Sequence, residues 1–157
     1  MKLWLKRNGI TVTTADYYAP AELKLDLCNI KQPDSSWDWI VCNHVLEHVD
    51  DYQKALSELY RILKPGGTLI ISFPILASLP TLIEETKHTE ENKSKRLQRY
   101  GQADHLRIFG ADSEEILRNV GFHVSRIDGS KMPKEILPVV GPADYDVNYL
   151  FICRKPE

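Results

Sequence analysis

Hydrophobic positions along this chain fall into short β-like runs around one strongly periodic helical stretch. Ile10-Thr11-Val12-Thr13-Thr14 is β-branched and predicts a strand that ends at Ala15-Asp16. After a loop through Pro20, Leu23-Lys24-Leu25-Asp26-Leu27 alternates like a second short strand. Beyond a turn at Pro33-Asp34-Ser35-Ser36, the run Trp37–Cys42 is mostly apolar, as in a parallel strand buried on both faces. Tyr52, Ala55, Leu56, Leu59, Ile62 and Leu63 then recur at i, i+3, i+4, i+7 spacing, the buried stripe of a helix that Asp50 is placed to cap. Lys64-Pro65-Gly66-Gly67 stops that helix, and Thr68–Phe73 reads as another buried strand. Strand, helix and strand at these lengths make a βαβ unit, which requires a parallel pairing.

Residues 75–110 break the rhythm. An apolar patch (Ile75, Leu76, Leu79, Leu82, Ile83) precedes a charged helical stretch to about Arg99 and then Tyr100–Arg107. A long insertion after a parallel strand suits a lid or substrate-binding element. Asp112-Ser113-Glu114-Glu115 forms a capping box for a helix through Ile116, Leu117 and Val120, with Gly121 as its stop. Phe122–Ile127 and Asn148–Cys153 read as the last two strands. Residues 1–157 are thus expected to form a single α/β domain, without repeats or low-complexity tracts.

Composition narrows the partners. Hydrophobic residues are 43% of the chain and charged residues 27%, with a net charge of -2 and a pI near 6.2. No overall field draws such a chain to nucleic acid or anionic lipid. The basic residues Lys93, Lys95, Arg96 and Arg99 follow Glu84, Glu85, Glu90 and Glu91, a pattern suited to a solvated helix face. Cys28, Cys42 and Cys153 are scattered and odd in number, which points away from a disulfide framework. No apolar run approaches the ~20 residues that span a bilayer, and the start is too short and charged for a signal peptide. The expected location is the cytoplasm.

Open α/β sheets bind ligands at the carboxyl ends of their strands. Asp16, Asp26 with Asn29, and Asn43-His44 fall at such ends. Each also has a plain structural explanation, since aspartate at a strand end commonly caps the following turn. Taken together, Ala15-Asp16, Leu25-Asp26-Leu27, Ser36–Val49 and the run Ala55–Gly67, which closes in Lys-Pro-Gly-Gly, resemble successive motifs of class I S-adenosylmethionine-dependent methyltransferases. The resemblance covers Asp16–Ile75 strongly and residues 100–125 more loosely.

That resemblance implies a Rossmann-like, mostly parallel sheet with an antiparallel C-terminal strand, S-adenosylmethionine as cofactor and a small-molecule methyl acceptor. It places Asp16 on the ribose hydroxyls, Asp26 and Leu27 at the adenine, and Asn43, His44 and Val45 beside the methionine half. His44, His48 and His105 are the candidates for proton transfer, with Glu47 able to orient one of them. Gln102, His105 and Arg107 are candidate acceptor contacts from the lid segment. For His88 and His123 an ordinary surface or core role is the stronger expectation.

The family also carries an earlier strand and a Gly-x-Gly-x-Gly loop. Here Gly9 is the only glycine before Gly66, so the pattern reads as a methyltransferase sheet truncated at its N-terminus. The vacant slot beside Trp37–Cys42 has three candidate occupants: Trp4–Arg7 folded back through Asn8-Gly9, a second copy of the chain, or a complementing polypeptide. Leu3–Arg7 equally suits the end of a helix stopped by Gly9. Two other functions compete. A methyltransferase-like module could bind or assemble without catalysis. His44-Val45-Leu46-Glu47-His48 also fits the H-x-x-E-H zinc signature, which needs both histidines on one helix. The break between strand and cap argues against that helix, and no metal is assigned from the sequence.

Overall fold

The computed structural model describes residues 2–84, 90–131 and 149–157. Its centre is a four-stranded sheet made of β3 (Trp37–Asn43), β4 (Leu63–Ser72), β7 (His123–Asp128) and β8 (Tyr149–Arg154), in the spatial order β3-β4-β8-β7. β3 and β4 pair in parallel, and β8 runs antiparallel to both of its neighbours, β4 and β7. β3, β4 and β7 therefore share one direction, as expected of a Rossmann-like methyltransferase sheet with an antiparallel final strand.

Between β3 and β4 lies α2 (Tyr52–Ile62), whose apolar stripe Tyr52, Ala55, Leu56, Leu59 and Ile62 is buried. Its cap is Asp51 and not Asp50: the Asp51 carboxylate accepts from the Lys54 amide at 2.8 Å. The helix ends at Ile62, and the Lys155 ammonium donates to the carbonyls of Tyr60 (2.9 Å) and Leu63 (2.8 Å), satisfying acceptors that a helix end leaves over. Phe73, at the end of β4, stacks with Phe109 at 4.0 Å and with Phe151 at 5.5 Å between ring centres. These rings join Leu56, Leu59, Leu69 and Ile71 in one core.

The amino-terminal part differs from its expected layout. α1 (Lys2–Arg7) is a helix stopped at Gly9, whose φ is 77°, so the fold-back hairpin does not form. Ile10–Thr14 is not a strand, because pairing begins only where β1 (Ala15–Asp16) meets β2 (Leu23–Lys24) in a short parallel ribbon. That ribbon is separate from the main sheet. Among the described residues nothing pairs with the outer edge of β3. The expectation that β3 is buried on both faces is accordingly corrected: Trp39 is 64% exposed and Val41 48%.

The 75–110 segment contributes β5 (Ile83–Glu84), α3 (Glu90–Tyr100) and β6 (Arg107–Ile108), with β5 and β6 antiparallel. On α3, Lys93, Lys95 and Arg99 are exposed, as a solvated face requires, whereas Arg96 is buried and donates to the Ala103 carbonyl at 2.6 Å. α4 (Ser113–Asn119) follows, but the Asp112 side chain makes no capping hydrogen bond to it and leans instead toward the Leu82 amide at 3.4 Å. His88 and Asn148 lie outside the described residues. No helix among the described residues is long and apolar enough to cross a membrane.

Candidate functional site

The chain leaves β3 through a strained corner. His44 adopts φ 51°, a left-handed conformation unusual for a residue with a Cβ, and its amide donates to the Ser72 carbonyl at 2.8 Å. Just before it, the Asn43 side-chain Oδ1 accepts from the Ser72 hydroxyl at 3.2 Å. The ends of the two parallel strands are thereby tied together, and the loop 44–51 hangs from that tie. Strain of this kind persists where the surroundings over-determine it, commonly at functional sites.

Two contacts hold the loop against the segment 104–107. The Leu106 amide donates to the Glu47 carbonyl at 2.8 Å. The Arg107 guanidinium, fully buried, donates to the carbonyls of Leu46, Val49 and Asp50 and pairs with Glu84 at 2.6 Å. Arg107 is therefore a brace behind the loop, which corrects its expected place as an acceptor contact. Gln102 is exposed on the surface.

This bracing gathers residues that the chain keeps far apart. His48 and His105 meet edge to face, 4.8 Å between ring centres. Glu47 sits beside both, and one ligand atom from each of Glu47, His48 and His105 lies within 4.8 Å of the other two. His44 Nδ1 is 3.3 Å from Glu47 Oε1, and Asp104 Oδ2 is 3.3 Å from His48 Nδ1. Contact with the Glu47 carboxylate raises the His44 imidazole above its ordinary pKa, whereas burial lowers that of His105. The three histidines singled out from the sequence thus stand around one carboxylate. The H-x-x-E-H run is a turn and not a helix, so His44 and His48 do not present a helix-borne zinc site. Asp104 carried no sequence signal, because its role depends on meeting His48 across 56 residues.

The remaining expected residues are more open. Asp16 Oδ1 accepts from the amides of Tyr18 (2.8 Å) and Ala19 (2.6 Å), and these contacts lower its pKa. Both bonds land on Oδ1, so Oδ2 keeps acceptor capacity. Asp26 Oδ1 accepts from the Cys28 amide at 2.8 Å, while the residue also lines a groove with Tyr17, Leu23, Asn29 and Gln32. Each carboxylate therefore performs the turn-capping role that the sequence already allowed. Leu27 and Val45 are half-buried against the core. For S-adenosylmethionine the fit is partial: exposed carboxylates at Asp16 and Asp26 suit the hydroxyl and amino groups of an adenosine, but the described residues offer no glycine cradle for the methionine end.

Similar proteins bear on the family and the fold. A family profile described as a methyltransferase domain matches residues 1–127. The demethylmenaquinone methyltransferase of Listeria monocytogenes (serotype 4a) is 38% identical over 65 residues, 41% of this chain and 27% of that protein. Its Listeria welshimeri counterpart is 49% identical over 65 residues, 41% of this chain and 28% of that protein. The match thus spans about a quarter of each relative's length. Among solved structures, Burkholderia thailandensis 1,6-didemethyltoxoflavin-N1-methyltransferase, with bound 1,6-didemethyltoxoflavin and S-adenosylhomocysteine, superposes with a TM-score of 0.61 at 18% identity, covering 99% of this chain and 66% of the other. A Methanosarcina mazei SAM-dependent methyltransferase superposes with a TM-score of 0.56 at 15% identity, covering 99% and 87%. A methyltransferase in complex with the Haloferax volcanii Trm112 activator gives 0.56 at 18% identity, covering 90% and 65%. At such identities the structures speak for the fold, while the profile match over most of the chain decides the family. With strand order and profile in agreement, this chain belongs to the methyltransferase-domain family.

Proposed function

We propose that the chain takes part in methyl transfer from S-adenosylmethionine to a small-molecule acceptor. The observation that carries this reading is that Asp16 ends β1, Asp26 follows closely on β2 and the Asn43–His44 corner ends β3, in a chain whose profile is that of a methyltransferase domain. Asp16 would hold the ribose hydroxyls and Asp26 with Leu27 the adenine, leaving Asn43, His44 and Val45 toward the methionine half. The bound cofactor would supply an already activated methyl group, so the chain's own task is chiefly to align an acceptor. The cluster of His44, His48 and His105 around Glu47 offers imidazoles that can take an acceptor proton. The open edge of β3 is where an added strand, from a second copy or a complementing chain, would complete the sheet.

A second reading follows from the glycine pattern. With Gly9 as the only glycine before Gly66, the chain could serve as a binding or assembly module that transfers nothing. Calorimetric titration with S-adenosylhomocysteine separates the two. Methyl transfer expects micromolar binding, weakened on the order of tenfold to a hundredfold by Asp16→Asn, which removes a ribose acceptor yet keeps the turn. Absence of heat at millimolar ligand would sink cofactor use by this chain alone.

A further inference from the structure

The Glu47 carboxylate is enclosed, with 1% of its side chain exposed, yet neither of its oxygens accepts a hydrogen bond. His44 Nδ1 at 3.3 Å and His48 Nε2 at 3.9 Å are the nearest cationic candidates, and neither makes hydrogen-bond geometry. The His44 contact compensates this charge only in part, and burying an incompletely paired carboxylate costs several kcal/mol, on the order of what single mutations cost whole domains. Folded proteins relieve such a group by pairing it or by giving it to a metal.

Its neighbours are metal ligands by chemistry. His105 is buried, and His48 meets it edge to face without a hydrogen bond between the rings. His48 turns Nδ1 toward Asp104, whose carboxylate and carbonyl oxygens both lie 3.3 Å away, so Nε2 is the nitrogen left facing Glu47. An imidazole backed by a carboxylate on one nitrogen, with the other directed at a shared point, is the arrangement that orients metal-bound histidines. The loop and the segment carrying these groups are locked together by the Leu106 amide and by Arg107, which donates to three loop carbonyls.

We propose that Glu47, His48 and His105 bind one divalent first-row transition metal, with Zn2+, Fe2+ or Mn2+ as the matching chemical class. Ligand atoms around such an ion stand roughly 3.3 Å apart, from metal–ligand distances of about 2.0–2.1 Å. To hold the ion, the 4.8 Å spread seen here must shorten by about 1.5 Å through side-chain rotation. Two imidazoles and one carboxylate neutralise only half of a divalent charge and leave coordination positions open. Resting on the methyl-transfer reading, an open position would take an oxygen of the acceptor.

The test uses the full chain, stripped with a chelator and titrated with Co2+ and with Zn2+ alone. One equivalent should bind, with the visible absorption of low-coordinate Co2+ and a rise in melting temperature. Glu47→Gln, which keeps volume, should weaken binding at least a hundredfold and abolish the absorption, and His105→Gln should do the same. Absence of stoichiometric binding to the unsubstituted chain would overturn the site. So would binding that survives both substitutions. If either variant unfolds, the unsubstituted chain still decides through its stoichiometry and the Co2+ spectrum, because loss of imidazole coordination changes the bands. The readout needs no cofactor, so a failed S-adenosylhomocysteine titration beside one bound metal would refute only the methyl-transfer reading.

Discussion

Arg107 and Glu84 form an ion pair at 2.6 Å in which the guanidinium is wholly buried and the carboxylate partly exposed. The same guanidinium donates to the carbonyls of Leu46, Val49 and Asp50, so one side chain fixes the loop after β3. Arg107→Met would leave these carbonyls and Glu84 without their donors. The expected loss is about 3 kcal/mol in urea unfolding. If the loop's shape depends on this brace, metal binding should fall with it.

Glu58 plays a similar part on α2. Its carboxylate accepts from the Ile30 amide at 2.9 Å and pairs with Arg61, which also donates to the Ile30 and Gln32 carbonyls. The Arg61 contact holds the Glu58 carboxyl below its ordinary value of 4.5. Because the folded pKa is the lower one, this stabilisation is complete above the unfolded value and is lost as pH falls through the folded value. A pH series of melting temperatures should therefore decline below about pH 4.5. Glu58→Gln should flatten that decline and lower stability near neutrality.

The turn read from Lys64-Pro65-Gly66-Gly67 needs its two glycines for different reasons. Gly66 has φ 72°, where any side chain is strained, so Gly66→Ala should cost about 1–2 kcal/mol. A Cβ on Gly67 would lie 2.8 Å from the Lys64 carbonyl oxygen and 3.2 Å from that of Asp38, both backbone atoms. Gly67→Ala should cost about 1–3 kcal/mol by overpacking. Urea midpoints measured on both variants check the pair.

Cysteine reactivity should separate the three thiols. Burial pushes Cys42 and Cys153 up to about 12, whereas Cys28 is only half-buried and raised less. At pH 9 a thiol of that acidity is ionised to about one part in a thousand. Alkylation of the native chain followed by mass mapping should mark Cys28 first. Rapid labelling of Cys42 would mean that β3 opens from the sheet.

The open edge of β3 leads to the last prediction. Trp39 and Val41 are exposed on a strand that nothing among the described residues pairs with on that side. If a second copy completes the sheet, light scattering should show concentration-dependent dimers, and Val41→Lys should shift them to monomer without lowering the melting temperature. A monomer at every concentration would rule out a second copy as the strand that fills this edge.

Much of this was written along the chain. The i, i+3, i+4 stripe of α2 located a helix correctly, because that periodicity has one amphipathic solution and the helix packs by that face alone. The apolar runs of β3 and β4 and the final strands were legible for the same reason, as was the strand–helix–strand order that makes the first pair parallel. Local signals failed where pairing depends on a partner. Ile10–Thr14 has the right residues for a strand, but among the described residues strand pairing begins only at Ala15, and Trp39 and Val41 on β3 stand exposed where a both-face-buried strand was expected.

The candidate site divides in the same way. Asp16, Asp26 and the His44–His48 run could be named from sequence, because strand ends and short motifs are local. That Glu47 is the enclosed carboxylate, that Asp104 backs His48, and that Arg107 faces inward as a brace are consequences of contacts between the loop after β3 and the segment 104–107. Sequence fixes which groups are available within a few residues of one another. Only the tertiary structure sets which distant groups share one desolvated volume, and burial there decides whether a carboxylate becomes a turn cap or a ligand in need of a cation.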